Sequence, residues 1–154
     1  MQQPYLLSSS QRIRHWKTFR TTLNETLTDV EQLVSAMKYW YQYPLVDRYI
    51  DPYDPKRWLT PWEFLHENKF CRSSLAYMMK QTLLLGEDER WSDDRLKLMY
   101  IDDKELSSEF IIVVADNKYV INYDLDKVIK FDFIQKNCII RHQYFARNNV
   151  HCIV

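Results

Sequence analysis

The sequence has 154 residues, a formal charge of zero from 21 basic and 21 acidic side chains, and 46% hydrophobic residues. That length fits one domain with a real core, and the composition excludes a disordered tail, a collagen-like repeat and a low-complexity linker. A balanced charge also argues against a dedicated nucleic-acid binder, which carries a basic excess.

Ser8, Ser9 and Ser10 offer N-caps for a helical stretch. Behind them Ile13, Trp16, Phe19, Leu23, Leu27, Val30, Val34, Met37 and Tyr41 recur in steps of three and four, the face of one helix or of two. Thr22 with Glu25, and Thr28 with Glu31, both have capping-box spacing, so a break near Asn24 is expected. The basic cluster Arg12, Arg14, Lys17 and Arg20 reads as a solvated face in preference to a phosphate contact.

Pro44, Pro52 and Pro55, interleaved with Tyr43, Tyr49 and Tyr53, predict an extended connector. Thr60-Pro61-Trp62-Glu63 then starts a short helix: Thr60 caps it, Pro61 suits the first turn and Glu63 completes the box. That helix runs to about Glu67. From Cys71 a second helix is expected, with Leu75, Met78, Met79, Thr82, Leu83 and Leu85 on a broad buried face and Gly86 as its stop. Gly86 is the only glycine, which excludes the glycine-rich loops that cradle phosphates.

After an acidic loop from Glu87 to Asp94 the pattern becomes extended. Residues 96–101 form one strand, Phe110 to Val114 a second that is buried on both faces, and Tyr119 to Tyr123 a third. Asp116-Asn117-Lys118 makes the hairpin turn between the last two. Val128 to Phe133 and Cys138 to Tyr144 suggest further extended pieces. Helices first and a mostly antiparallel sheet afterwards define an α+β domain.

Zero net charge hides segregation: residues 1–86 carry 11 basic and 8 acidic side chains, residues 87–126 carry 5 and 12, and residues 127–154 carry 5 and 1. Such blocks pair within a fold or steer a partner. No stretch reaches the ~18–20 apolar residues of a membrane span, and Met1 to Ser10 shows no secretory leader. Three cysteines, Cys71, Cys138 and Cys152, match no disulfide framework, so a reducing, cytoplasm-like setting is expected.

A thiol at a helix N-terminus, packed on a later antiparallel sheet, is the ground plan of a cysteine nucleophile, because the helix dipole favours a thiolate there. The chemistry further needs an imidazole within hydrogen-bond reach and a group to orient it. The segment Trp58-Leu59-Thr60-Pro61-Trp62-Glu63-Phe64-Leu65, then Phe70-Cys71, Ala76 and Leu83 to Gly86, resembles the bacterial transglutaminase-like cysteine proteinases of the papain-like superfamily. The likeness continues through residues 95–101 into the hairpin of residues 109–123 and covers roughly residues 45–128. It implies a single domain over residues 1–154, with residues 1–43 as a helical segment, 44–128 as a transglutaminase-like core and 129–154 as a C-terminal extension.

At the position of that family's histidine this sequence has Glu109, and at the position of its aspartate it has Asn122. An asparagine can orient an imidazole; a carboxylate at Glu109 opposes a thiolate at Cys71 by like-charge repulsion. Phe70 and Arg72 replace the acidic neighbours that help bind calcium in the family. His66, five residues before the thiol, is the remaining candidate base; His15, His142 and His151 read as ordinary surface or core residues. The resemblance therefore implies a degenerate triad at Cys71, Glu109 and Asn122. The expected function is a protein-binding or structural module, and the alternative is an active thiol peptidase or amidase with a non-standard base.

Cys138 and His142 with His151 and Cys152 make an unorthodox zinc set, and Asp102, Asp103, Glu105, Asp124 and Asp126 read as solvated turns, so no metal or cofactor is expected. The aromatic belt of Trp40, Tyr41, Tyr43, Tyr49, Tyr53, Trp58 and Trp62 packs over the Cys71 helix or serves an interface. The chain also looks similar to small proteins of tailed bacteriophages. That likeness implies a virion role and a cytoplasmic or virion-associated location. Protein partners, or further copies of the chain in an oligomer or larger assembly, are expected; membrane and nucleic acid are not.

Overall fold

The computed structural model describes residues 3–147 and 150–153. Five α-helices pack with a six-stranded antiparallel sheet: α1 (Ser9–Thr21), α2 (Asp29–Trp40), α3 (Pro61–Glu67), α4 (Arg72–Leu84), β1 (Leu96–Asp103), β2 (Ser108–Ala115), β3 (Tyr119–Ile121), β4 (Ile129–Lys130), α5 (Phe131–Asn137), β5 (Cys138–Arg147) and β6 (Val150–Ile153). This is the expected α+β class.

Reciprocal capping boxes begin the first three helices: Ser8 with Gln11, Thr28 with Glu31, and Thr60 with Glu63. Each box gives partners to two backbone or side-chain groups that a helix start would otherwise leave open. The break near Asn24 is real, but Thr22 closes α1 as its C-cap and caps no second helix. Instead the Asn24 side chain accepts from the Thr26 amide at 2.9 Å, tightening the turn between the helices. Asn68 ends α3 in the left-handed region at φ 57°, where Asn is tolerated better than most residues. Gly86 follows α4 without a positive φ; a Cβ there would sit 3.2 Å from the Leu83 carbonyl, so close approach explains the glycine.

The sheet order is β4-β3-β2-β1-β5-β6. β5, from the segment expected as an extension, therefore lies beside β1 in the middle of the sheet. Strand alternation divides the core in two. Leu96, Leu98, Tyr100, Ile111, Val113 and Ile121 join the helices in one cluster, while Met99, Ile101, Phe110, Ile112, Val114 and Val120 join Phe131 and Ile134 of α5 in the other. β2 is thus buried on both faces, as its unbroken apolar run predicts. The stretch from Val128 to Phe133 is extended only at Ile129 and Lys130; Phe131 and Ile134, spaced by three, turn one helical face onto the sheet.

α4 packs against β1 and β2 and is buried around most of its circumference. Leu75, Met78 and Leu83 have no exposed surface, and truncating one such residue to alanine costs about 2–5 kcal/mol. No helix among the described residues is long and apolar enough to cross a membrane.

Arg12 is no part of a solvated face. It is buried, with Nε donating to the Leu65 carbonyl at 2.8 Å and the two Nη groups donating to the carbonyls of His66 and Leu7. A guanidinium in this position satisfies the open C-terminal carbonyls of α3 and favours its dipole.

Candidate functional site

Cys71 is the N-cap of α4 and only 4% exposed. Its amide donates to the Ser74 hydroxyl at 2.9 Å, and that hydroxyl donates back to the Cys71 carbonyl at 3.0 Å, so the first turn closes on itself. Four segments enclose a cleft of about 110 Å³ beside it: Cys71, Arg72 and Ser73 at the start of α4, Tyr100 of β1, Ser108, Glu109 and Phe110 of β2, and the connector at Asp47, Arg48, Ile50 and Pro52. Tyr144 secures the connector by donating to the Pro52 carbonyl at 2.7 Å.

The fold brings Cys71 and Glu109 to one cleft. Glu109 Oε2 accepts from the Tyr100 hydroxyl at 2.9 Å. Burial, and then this carboxylate, push the Tyr100 phenol well above the usual tyrosine range. Among the described residues, no histidine lines the cleft. His66 sits in the last turn of α3, its carbonyl held by Arg12. His142 pairs with Tyr100 across β1 and β5 and its ring lies parallel to the phenol with centroids 6.3 Å apart, under the edge of Tyr53.

Asn122 is completely buried and sits behind the cleft. Its Nδ2 donates to the carbonyls of Arg72 and Ile111 at 2.9 and 2.8 Å, and its Oδ1 accepts from Tyr41 at 2.9 Å. Burial pushes the Tyr41 phenol up to about 12. The Ile111 amide in turn donates to Ser73 Oγ at 3.1 Å. β3 stops pairing with β2 at Val113 and Ile121, so two side chains supply the partners that another strand residue would have given Ile111. Arg72 completes the clamp. Its guanidinium lies 3.5 Å over the Phe110 ring and donates to the carbonyls of Asn122 and Tyr123.

Sequence reasoning singled out Cys71, Glu109 and Asn122, named Arg72 only as a replacement for an acidic neighbour, and gave Tyr100 and Ser73 no part in the site. Arg72 and Ser73 follow the cysteine directly, and the alternation in β1 puts Tyr100 on the helix-facing side. Only the β1–β2 register, with Tyr100 opposite Ile111, brings Tyr100 within reach of Glu109.

Among the described residues no three His, Cys, Asp or Glu side chains converge as a metal site. Burial, followed by Asp103, Asp102 and Glu105, pushes the Cys138 thiol up to about 11. The side chains of His151 and Cys152 lie outside the described residues. Asp103 accepts from the amides of Glu105 and Leu106 and from the Tyr123 hydroxyl, and Asp124 accepts from the amides of Asp126 and Lys127. Both acidic groups serve turns. From the aromatic belt, Trp40 and Tyr43 are buried and Trp58 packs edge-on against Tyr77 of α4, whereas Tyr53 and Trp62 are exposed.

No family model and no curated protein matches the sequence. Solved structures do match the fold. Legionella pneumophila LapG superposes with a TM-score of 0.72 at 15% identity, covering 90% of this chain and 75% of that one. Calcium-bound Legionella pneumophila LapG gives 0.69 at 14% identity over 91% of this chain and 85% of its own. The chain thus has the transglutaminase-like α+β fold.

Proposed function

We propose that this chain is a transglutaminase-like domain that has lost Cys–His chemistry and acts as a protein-binding or structural module. The observation that carries the reading is the cleft beside Cys71, where a carboxylate held by Tyr100 stands in place of an imidazole. Thiol catalysis needs a base that can take the thiol proton and return it to the leaving group. Glu109 is a carboxyl group and supplies no imidazole to take up the thiol proton and pass it on. Asn122, which would orient an imidazole by accepting its N–H at Oδ1, already accepts there from Tyr41 and holds the carbonyls of Arg72 and Ile111 with its N–H groups.

Size supports the same reading. A cleft of about 110 Å³ lies below the ~300–1,000 Å³ range of substrate and ligand pockets. The exposed side chains of Leu45, Val46, Tyr53 and Trp62 supply apolar and aromatic surface of the kind protein partners use.

The test is thiol reactivity at pH 7, read by mass mapping of iodoacetamide adducts on the wild type and on Cys71→Ala. The reading expects Cys71 to label no faster than an ordinary thiol, and no peptidase or amidase activity lost in the variant. Rapid labelling at Cys71, or hydrolysis that vanishes in Cys71→Ala, overturns it in favour of an active thiol enzyme. Sedimentation analysis separately reads whether the partner is a second copy of the chain.

A further inference from the structure

A second concavity, of about 600 Å³, opens between α1 and α2, and no residue of the sheet lines it. α1 rests on α3 and α2 rests on α4, so the two helices have different supports and leave a groove between them. Its floor is aromatic: the Phe19 and Tyr39 rings lie with centroids 4.3 Å apart, and Tyr39 is buried. His15 is fixed at the same place by the 2.9 Å hydrogen bond between its Nδ1 and the Tyr39 hydroxyl.

The polar lining has one sign. Lys38 is the charged residue of the groove, no carboxylate lines it, and Lys38 has no ion-pair partner among the described residues. Thr18 of α1 and Ser35 of α2 line the same groove and add a hydroxyl from each helix. An ammonium and two hydroxyls around an aromatic floor match a ligand that is flat and apolar on one side and anionic at one end. The volume falls within the ~300–1,000 Å³ of small-molecule sites. Along α2 the lining runs from Ser35 to Tyr39, about 6 Å at 1.5 Å per residue, which suits a small ring compound and is short for a docked helix.

We propose that this groove is a binding site for small amphipathic anions, with the apolar body on Phe19 and Tyr39 and the anionic head at Lys38, Thr18 and Ser35. The site is separate from the Cys71 cleft and does not depend on whether that cleft is active.

The probe is 8-anilinonaphthalene-1-sulfonate, with N-phenyl-1-naphthylamine as the same ring system lacking the sulfonate. Fluorescence titration of the folded protein should give one saturable site for the sulfonate. Lys38→Glu, at an exposed helix position, should weaken the sulfonate at least tenfold and leave the neutral compound unchanged. Thr18→Trp, which fills the groove from another exposed position, should abolish both, while far-ultraviolet circular dichroism and the cooperative thermal unfolding of both variants stay those of the wild type. Absence of saturable binding overturns the proposal. So does sulfonate binding that survives Lys38→Glu or Thr18→Trp, which places the probe elsewhere on the molecule.

Discussion

Tyr100 donates its hydroxyl proton to Oε2 of Glu109 at 2.9 Å, on the wall of the cleft that Cys71 also lines. The phenol anchors the Glu109 carboxyl group beside β1. Replacing Glu109 with histidine puts an imidazole into the cleft that Cys71 lines, as the proposed loss of a histidine there requires. The Glu109→His variant should alkylate at Cys71 at least tenfold faster than wild type at pH 7, and Glu109→Gln should not. Equal rates in the two variants would show that the position does not reach the sulfur.

Asn122 holds α4 to the sheet. It is completely buried, sits at φ 72°, and directs both amide protons to backbone carbonyls. Asn122→Ala strands those carbonyls and the Tyr41 hydroxyl, and places a Cβ residue without local hydrogen bonds in the left-handed region. The loss should be about 3–5 kcal/mol, from ~1–3 for each stranded buried group and ~1–2 for the backbone, with incomplete additivity. Urea unfolding midpoints read it.

Thr82 accepts from two indoles at once, Trp16 at 2.9 Å and Trp40 at 2.8 Å, and donates to the Met78 carbonyl at 2.6 Å. One hydroxyl therefore ties α1, α2 and α4 together inside an otherwise apolar cluster. Thr82→Val keeps the shape and leaves two buried N–H donors without acceptors, for a loss of about 2–4 kcal/mol. Thr82→Ser should retain most of the stability, and tryptophan fluorescence during unfolding distinguishes the two.

Alkaline pH should destabilise the fold steeply. Burial pushes the phenols of Tyr41, Tyr43 and Tyr77 from 10.0 up to about 12. Below pH 10 both folded and unfolded states keep these protons and the contribution is intact. Between pH 10 and 12 the unfolded chain loses them first, so stability falls by about 1.4 kcal/mol per pH unit for each fully buried tyrosine. Lys80, whose ammonium burial lowers while Asp93 partly restores it, acts in the opposite direction as pH rises toward 10.5 and softens the onset. Denaturation midpoints across pH 8–12, with absorbance at 295 nm to follow phenolate, check the sign and the window.

Much of the fold was legible because its signals are local. A capping box needs only four residues, so Thr28 with Glu31 and Thr60 with Glu63 announce their helices, and the apolar run at Phe110 to Val114 announces a strand buried on both faces. α5 was misread as extended because Ile129, Phe131 and Phe133 alternate like a strand. The spacing of Phe131 and Ile134 prevailed once a sheet face was there to receive it. Arg12 was misread for a different reason: the carbonyls of Leu65 and His66 that bury it are more than fifty residues away.

By itself the sequence determined the α+β class and the cysteine at the head of a helix, since these follow from periodicity and residue type, while Glu109 and Asn122 were singled out through the family resemblance alone. Tertiary structure alone decided which of them meet. Strand register sets Tyr100 against Glu109, and the early end of β3 leaves Ile111 to be held by Ser73 and Asn122. The separate supports of α1 and α2 open the groove at Lys38. Each of these depends on the relative placement of distant backbone segments, which burial of the whole core fixes and no local pattern encodes.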